Sequence, residues 1–110
     1  MRRSGARVQA SAPVFAALGD ETRLALVSRM CDEGPLSITR LAEGAGVTRQ
    51  AVTKHLHVLA EAGLVRSARE GRESIFELEP RRLAEARRCL DLISAQWDDA
   101  IGRLRALVER

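Results

Sequence analysis

The residues from 48 to 59 carry two kinds of side chain at helical spacing. Val52, Leu56 and Leu59 recur at i, i+4 and i+7, which predicts one buried face of an α-helix. The polar residues on the other side of this helix can all bond phosphates or base edges: Thr48, Arg49, Gln50, Thr53, Lys54 and His57. Among these residue types, Gln suits adenine, Arg suits guanine, and Lys suits either a base or a phosphate. The segment therefore predicts contact with DNA through one face of a helix.

The two histidines of this helix have different expected roles. His55 and His57 are close in sequence, but they point in different directions around a helix. We expect His57 to face DNA and His55 to be a packed or capping side chain. Thr48 is expected at the helix N-terminus, where free N–H groups and the helix dipole favour a phosphate.

A short helix precedes this segment. Ser37 is placed to cap it, Ile38 and Leu41 belong to its buried side, and Gly46 breaks it before Thr48 caps the next helix. Two short helices joined at a glycine predict a helix-turn-helix, whose second helix can enter the major groove of DNA. A solvated surface is the alternative for the outward polar residues, and the helix-turn-helix context favours DNA contact.

Two strands follow, predicted over residues 64–68 and 74–78. Between them, Gly71 can adopt the positive φ that a tight turn needs. Three arginines lie in or beside this turn: Arg66, Arg69 and Arg72. A basic hairpin next to a recognition helix is well placed to bind flanking phosphates or a narrow minor groove. Such a hairpin makes the helix-turn-helix a winged helix.

The helices at the two ends of the chain are predicted from proline, glycine and apolar spacing. Pro13 opens a short helix over 14–18, and Asp20 caps a second helix that ends at Gly34-Pro35. The buried side of that second helix is expected to contain Leu24, Leu26, Val27 and Met30. Pro80 suits the first turn of the last helix.

The last helix carries a heptad pattern. Its apolar residues are spaced alternately by three and four: Leu83, Ala86, Leu90, Ile93, Trp97, Ala100, Leu104 and Leu107. A chain of 110 residues makes one small domain that cannot easily cover so long a stripe, so we predict a homodimer. Packing of the whole stripe within one subunit is the alternative. Whether the helix continues unbroken past residues 87–89 is left open.

Composition and charge set further bounds. The chain is 45% hydrophobic and 30% charged, with a net charge of +3. Residues 1–9 and 48–72 are the basic segments, which suggests a polyanionic partner. The sequence contains no run of about 18 apolar residues, so no membrane span is predicted. No signal peptide is predicted either. Because Cys31 and Cys89 are too few for a disulfide scaffold, we expect a reducing, cytoplasmic setting.

Three motifs in order carry a specific resemblance. They are the stretch FAALGDETRL from Phe15, the stretch VTKHLHVL from Val52 and the stretch EAGLV from Glu61, followed by a wing that contains residues 70–72 and 76–78. In these motifs, residues 12–108 resemble the ArsR (arsenical-repressor) family of bacterial winged-helix transcription regulators. The resemblance implies a homodimer built from the first and last helices, which binds an imperfect palindrome and usually represses transcription.

The expected architecture is mainly α with a small β-hairpin: a winged helix-turn-helix in the order α-α-α-α-β-β-α. Residues 1–11 are expected to form a flexible basic arm, 12–79 the DNA-binding core, and 80–110 the dimerisation helix. The residues expected at the dimer interface are Phe15, Leu90, Ile93, Trp97, Ala100, Leu104 and Leu107. A pocket for a small apolar effector around Phe15 and Trp97 is possible, although dimer contact is the favoured role of both aromatic residues.

The sequence does not identify a signal to which the protein responds. Relatives that sense metals do so through paired cysteines before the turn or through Asp, His and Glu ligands on the last helix, and this sequence has neither motif. We therefore predict no metal site and no cofactor. A thiol response through Cys31 and Cys89 remains an alternative. No phosphate-binding loop, GxSxG or HExxH motif occurs, so no enzyme is predicted. A winged helix used for protein–protein interaction is the alternative of another class.

Overall fold

The computed structural model describes residues 3–109, and the side chains of residues 8–109. Five helices and three short strands follow one another along the chain. Their bounds are α1 Arg3–Leu18, α2 Glu21–Glu33, β1 Leu36–Ser37, α3 Ile38–Ala42, α4 Arg49–Glu61, β2 Val65–Glu70, β3 Glu73–Leu78 and α5 Pro80–Val108. The mainly helical winged helix-turn-helix is confirmed, with the short strand β1 as the one added element.

Side-chain caps begin three of the helices where the sequence predicts them. Asp20 Oδ2 accepts from the Arg23 backbone N at 3.0 Å, Ser37 Oγ from Arg40 N at 3.1 Å, and Thr48 Oγ1 from Ala51 N at 3.1 Å. Each cap satisfies one of the backbone donors that the first turn of a helix leaves unpaired. The starts of α2, α3 and α4 are therefore fixed by local chemistry.

The core lies where α1, α2, α3 and α4 meet the sheet. Its most deeply buried apolar side chains are Leu41, Val52, Leu56, Leu59 and Leu64, each with 0% exposure. Val14 and Ala17 of α1 and Ala86 of α5 close the same cluster. The predicted inner face of α4 is thus confirmed, and it fixes which side of α4 faces solvent.

The sheet has the order β1-β3-β2, with both pairs antiparallel. The hairpin pairs Val65 with Leu78 and Glu70 with Glu73, so only residues 71 and 72 form the turn. Gly71 has φ 65°, as a two-residue turn with glycine at its first position requires. The sequence predicts a turn over residues 69–72, between the two predicted strands. The observed turn is shorter because both strands continue to the tip of the hairpin. We call this hairpin, residues 65–78, the wing.

Three expectations about helix ends and faces are wrong. Helix α1 begins at Arg3 rather than at Pro13, so residues 3–11 of the predicted flexible arm are helical, while Met1 and Arg2 lie outside the described residues. Pro13 removes one backbone donor from the interior of α1, and the helix continues through it because its Ser11–Val14 side is buried and α1 packs against α5.

The other two differences concern α2 and α3. Leu24 is 53% exposed, because it lies roughly 110° around the helix from the centre of the buried face formed by Leu26, Val27 and Met30. Helix α3 ends at Ala42 rather than at Gly46. Glu43 follows it in extended conformation and Gly44 has φ 74°, so the backbone leaves the helix before Gly46 is reached.

Helix α5 is unbroken over its 29 residues, which corresponds to about 43 Å. Only its first part meets the body of the protein, through Leu83, Ala86 and Cys89. Every residue from 93 to 109 is exposed. We call residues 93–109 the projecting segment. No helix in the described part of the chain is long and apolar enough to span a membrane.

Candidate nucleic-acid interface

Helix α4 presents the predicted polar face to solvent. Its inner residues Val52, Leu56 and Leu59 have 0% exposure, and their burial fixes the rotation of the helix about its axis. The predicted outward residues are all exposed: Thr48, Arg49, Gln50, Thr53, Lys54 and His57. The structure therefore brings the six residues together on one surface, at the N-terminal and middle turns of a 13-residue helix.

Three of these side chains have partners within the helix, and one of them is Thr48, whose hydroxyl caps it. The Thr53 hydroxyl donates to the Arg49 carbonyl at 3.0 Å, and it keeps its acceptor lone pairs free. His57 Nε2 lies 3.1 Å from Glu61 Oε1, four residues further along. Arg49 and Lys54 have no ion-pair partner among the described residues, so their donors are available to an external anion.

The three wing arginines fall into two groups. Arg66 Nε donates to Glu77 Oε1 at 2.8 Å, and Arg66 Nη1 donates to Glu79 Oε2 at 3.0 Å. The hydrogen bond that Arg66 donates to Glu77 and the negative charges of both carboxylates raise the pKa of Arg66. Within the described chain, Arg69 and Arg72 are exposed and form no ion pair. The free positive charge of the wing is therefore at its tip.

Arg66 also links the wing to the last helix. Glu79 is the N-cap of α5, and its Oε1 accepts from the Arg81 backbone N at 3.4 Å while its other oxygen holds Arg66. The Glu79 backbone N donates to the Leu64 carbonyl at 2.8 Å. The base of the wing is thus tied to the start of α5 at two points.

A groove separates α4 from the wing. It has a volume of about 450 Å³ and is lined by Thr53, Lys54, His57, Val58 and Phe76. Its floor is apolar and its rim carries the basic and hydroxyl groups of α4. Polar residues of α4 on one side and the wing on the other give this surface the shape and charge of a site for a nucleic-acid backbone.

The residues predicted at the dimer interface lie in two environments. Phe15 is half-buried against the core. The others are exposed on one stripe of α5, and Trp97 is 68% exposed: Leu90, Ile93, Trp97, Ala100, Leu104 and Leu107. Because Phe15 packs inward and Trp97 lies on the projecting segment, the two aromatic side chains do not share an environment in the single subunit.

The groups considered for sensing are dispersed. Among the described residues, no group of three His, Cys, Asp or Glu side chains is arranged to hold a metal ion. Cys31 is exposed and Cys89 is buried, and both thiols are free.

One buried polar contact was not foreseen. His55 is partly buried, as expected of a packed side chain, and its Nδ1 lies 3.2 Å from Nη1 of Arg23. This contact of Arg23 was not predicted from the sequence. The signal was present, because Arg23 stands at the first position of the i, i+3, i+4, i+7 pattern that Leu26, Val27 and Met30 complete.

Comparison with known proteins adds an independent finding. Residues 18–68 match the model of a helix-turn-helix domain family. The chain is 43% identical over 93 residues to the HTH-type transcriptional regulator Rv2034 of Mycobacterium tuberculosis, across 84% of this chain and 83% of the relative. It is 30% identical over 78 residues to the arsenical resistance operon repressor of Escherichia coli, across 71% of this chain and 67% of the relative.

A solved structure has the same fold over almost the whole chain. The ArsR-like transcriptional regulator from Rhodococcus sp. RHA1 superposes with a TM-score of 0.76 at 35% identity. The match covers 90% of this chain and 92% of that one. The similarity therefore includes the wing and the terminal helices as well as the helix-turn-helix.

Proposed function

Because this chain belongs to the ArsR family of helix-turn-helix transcriptional regulators, we propose that it acts as a homodimer that binds a palindromic operator in double-stranded DNA and represses transcription. The observation that carries the proposal is the division of α4 into a fully buried apolar face and a fully exposed polar face. In a helix-turn-helix, the exposed face of the second helix is the one that enters the major groove.

Phosphate contacts supply most of the affinity in this proposal. Arg49 and Lys54 on α4 and Arg69 and Arg72 at the wing tip are exposed cations without ion pairs in the described chain. Lys54 lines the groove between α4 and the wing, where one strand of the duplex would run. Gln50 and Thr53 then supply hydrogen bonds to base edges.

The exposed apolar stripe of α5 supports the presence of a second subunit. The projecting segment has about 25 Å of helix outside the body, and helices of about 15 residues are marginal in water unless they pack on something. Its exposed stripe includes Ile93, Trp97 and Leu104. A second copy presents the same stripe, and a two-fold axis pairs the two stripes. The symmetry then places the two α4 helices about 34–36 Å apart, in successive major grooves.

Repression is the mode of action that we propose. The Escherichia coli relative is a repressor by name, and a dimer that covers about two turns of an operator blocks other proteins from the same DNA. An operator in chromosomal DNA places this activity in the cytoplasm.

The test is selection of bound duplexes from a random pool with the purified full chain. We expect enrichment of a palindrome, and a logarithm of affinity that falls linearly with the logarithm of salt concentration. A folded, dimeric protein that enriches no duplex and shows no salt-dependent binding contradicts the proposal. That result supports a winged helix used for protein–protein interaction instead.

A further inference from the structure

Arg23 occupies a core position of α2. Leu26, Val27 and Met30 follow it at i+3, i+4 and i+7, and all three are buried. A charged side chain in such a position is costly unless its donors are satisfied. Arg23 is partly buried, and its guanidinium bonds groups of two other helices.

His55 likewise lies on the apolar face of its helix, α4. It stands at i+3 from Val52, between Val52 and Leu59 on the face that is otherwise fully buried. Its side chain is 22% exposed. Two helices thus each place one polar residue on their apolar face, and these two residues meet with 3.2 Å between Arg23 Nη1 and His55 Nδ1.

The other donors of Arg23 reach the end of α1. Its Nε donates to the Ala17 carbonyl at 2.6 Å and its Nη2 donates to the Ala16 carbonyl at 3.5 Å. Both carbonyls belong to the last turn of α1, where few backbone N–H groups follow to bond them, and the Ala16 carbonyl also accepts from Gly19 N at 3.3 Å. One guanidinium therefore connects the C-terminal end of α1 to the middle of α4.

Asp20 completes the arrangement. Its Oδ2 accepts from the Arg23 backbone N at 3.0 Å and lies 3.8 Å from His55 Nδ1. Because a guanidinium can only donate, Arg23 bonds His55 Nδ1 when that nitrogen carries no proton. Asp20 holds the start of α2, and with it Arg23, at the junction of the three helices.

We propose that Arg23 is a positioning residue that fixes the recognition helix α4 relative to α1, which packs against the dimerisation helix α5, and that it thereby sets the half-site spacing that the dimer accepts. This inference rests on the proposed function. Helix α1 packs against α5, the proposed dimerisation helix, whereas α4 faces DNA in the proposed function. A change in the angle between α1 and α4 occurs in both subunits, so it alters the separation of the two recognition helices.

Arginine is specific to this role. Its planar guanidinium presents donors in three directions at once, which here are taken by Ala17, Ala16 and His55. Lysine keeps the charge but cannot reach the same three acceptors from one fixed plane. The residues that contact bases are not part of this arrangement, so its loss should leave base preference within each half-site unchanged.

The experiment measures spacing discrimination. The selected palindrome is compared with versions that have one base pair inserted or removed between the half-sites, and the ratio of affinities is determined. We expect Arg23→Lys and His55→Leu to lower this ratio about 5-fold or more, toward equal binding of all spacings. His55→Gln keeps an acceptor on α4 and should retain most of the ratio.

Arg29→Lys is the matched control. Arg29 is on the same helix and also bonds the end of a helix, through the Glu43 carbonyl at 2.9 Å and the Leu41 carbonyl at 3.4 Å. It touches α3 and its own helix neighbour Glu33, and none of its bonds reaches α1 or α4. Its replacement should leave the spacing ratio unchanged.

The outcomes separate the two proposals. If the wild-type protein binds no duplex, the proposed function fails. If it binds its palindrome but shows no spacing preference, or if folded, dimeric Arg23→Lys and His55→Leu proteins keep the wild-type ratio, the role of Arg23 is refuted while the proposed function stands. If Arg23→Lys does not fold, the contrast between His55→Leu and His55→Gln decides.

Discussion

Arg66 and Glu77 face each other across the two strands of the wing, and Arg66 Nε donates to Glu77 Oε1 at 2.8 Å. A second carboxylate, that of Glu79, bonds the same guanidinium. The pair belongs to the scaffold of the wing as well as to its surface charge. An arginine near a DNA-binding helix is therefore not by itself evidence of a free cation.

This difference predicts unequal effects of the wing arginines on DNA binding. Arg69→Ala and Arg72→Ala should each reduce the slope of log affinity against log salt by about 1.8, because each removes one phosphate contact from each of the two subunits. Arg66→Ala should reduce the slope less, since two carboxylates already balance its charge. Fluorescence anisotropy over a salt series measures the slopes. Three equal reductions would show that Arg66 leaves its carboxylates on binding.

Base reading is predicted to depend on α4. Gln50→Ala should weaken binding to the selected operator by about 1–3 kcal/mol per half-site and relax the preference at one base pair of each half-site. Binding to unrelated duplexes should be almost unchanged, because Gln50 is uncharged. A competition assay with both kinds of duplex gives the two values. An equal loss on every sequence would assign Gln50 to the backbone instead of to a base.

Dimerisation is predicted to depend on the exposed stripe of α5. Trp97→Glu should shift the protein toward a single subunit, since it places a charge in the middle of the apolar stripe. Ala95→Glu is the control, because Ala95 is exposed on the opposite side of the same helix. Sedimentation velocity distinguishes the two states. Dimers of equal stability for both variants would place the interface elsewhere.

A pH-dependent contribution to stability is predicted at Asp20. The hydrogen bond from the Arg23 backbone N lowers the pKa of Asp20 below its ordinary value of 3.8. A carboxyl with a lowered pKa stabilises the folded state above its unfolded-state pKa, and this stabilisation is lost as the pH falls through the folded-state value.

Asp20→Asn isolates this charge, because asparagine keeps a capping oxygen. The wild-type protein should be the more stable of the two at neutral pH, and the difference should disappear as the pH falls below 3.8. Urea unfolding at several pH values measures it. A difference that is constant down to acid pH would attribute the effect to shape alone.

The features that sequence predicts well here are decided by neighbours in the chain. The caps at Asp20, Ser37 and Thr48 bond backbone groups three residues away. Gly71 is predicted because its own turn needs a residue with positive φ. The exposed and buried sides of α4 follow from helical periodicity. Such features need no knowledge of the rest of the fold.

Two of the features that were missed depend on distant parts of the chain. Strand β1 has two residues and exists because Leu36 and Ser37 pair with Phe76 and Ile75 of β3. Helix α1 continues through Pro13 because it packs against α5. Proline more often begins a helix, so local preference pointed to the wrong start.

The candidate site divides in the same way. The exposure of the six polar residues of α4 follows from the apolar face behind them. The engagement of Arg66 by Glu79, and that of Arg23 by Ala17 and His55, could not be read from spacing, because each joins separate elements. The sequence shows where the arginines are, but only the tertiary structure shows which groups they bond.

The length of α5 beyond the body also has a consequence for the life of a newly made chain. In the proposed homodimer, residues 93–109 pack only when a second copy binds, so the final step of folding would be bimolecular. The amount of working regulator in a cell would then rise more steeply than the amount of polypeptide synthesised. Scarce chains would remain unpaired, and their bare α5 would be an early target for proteases.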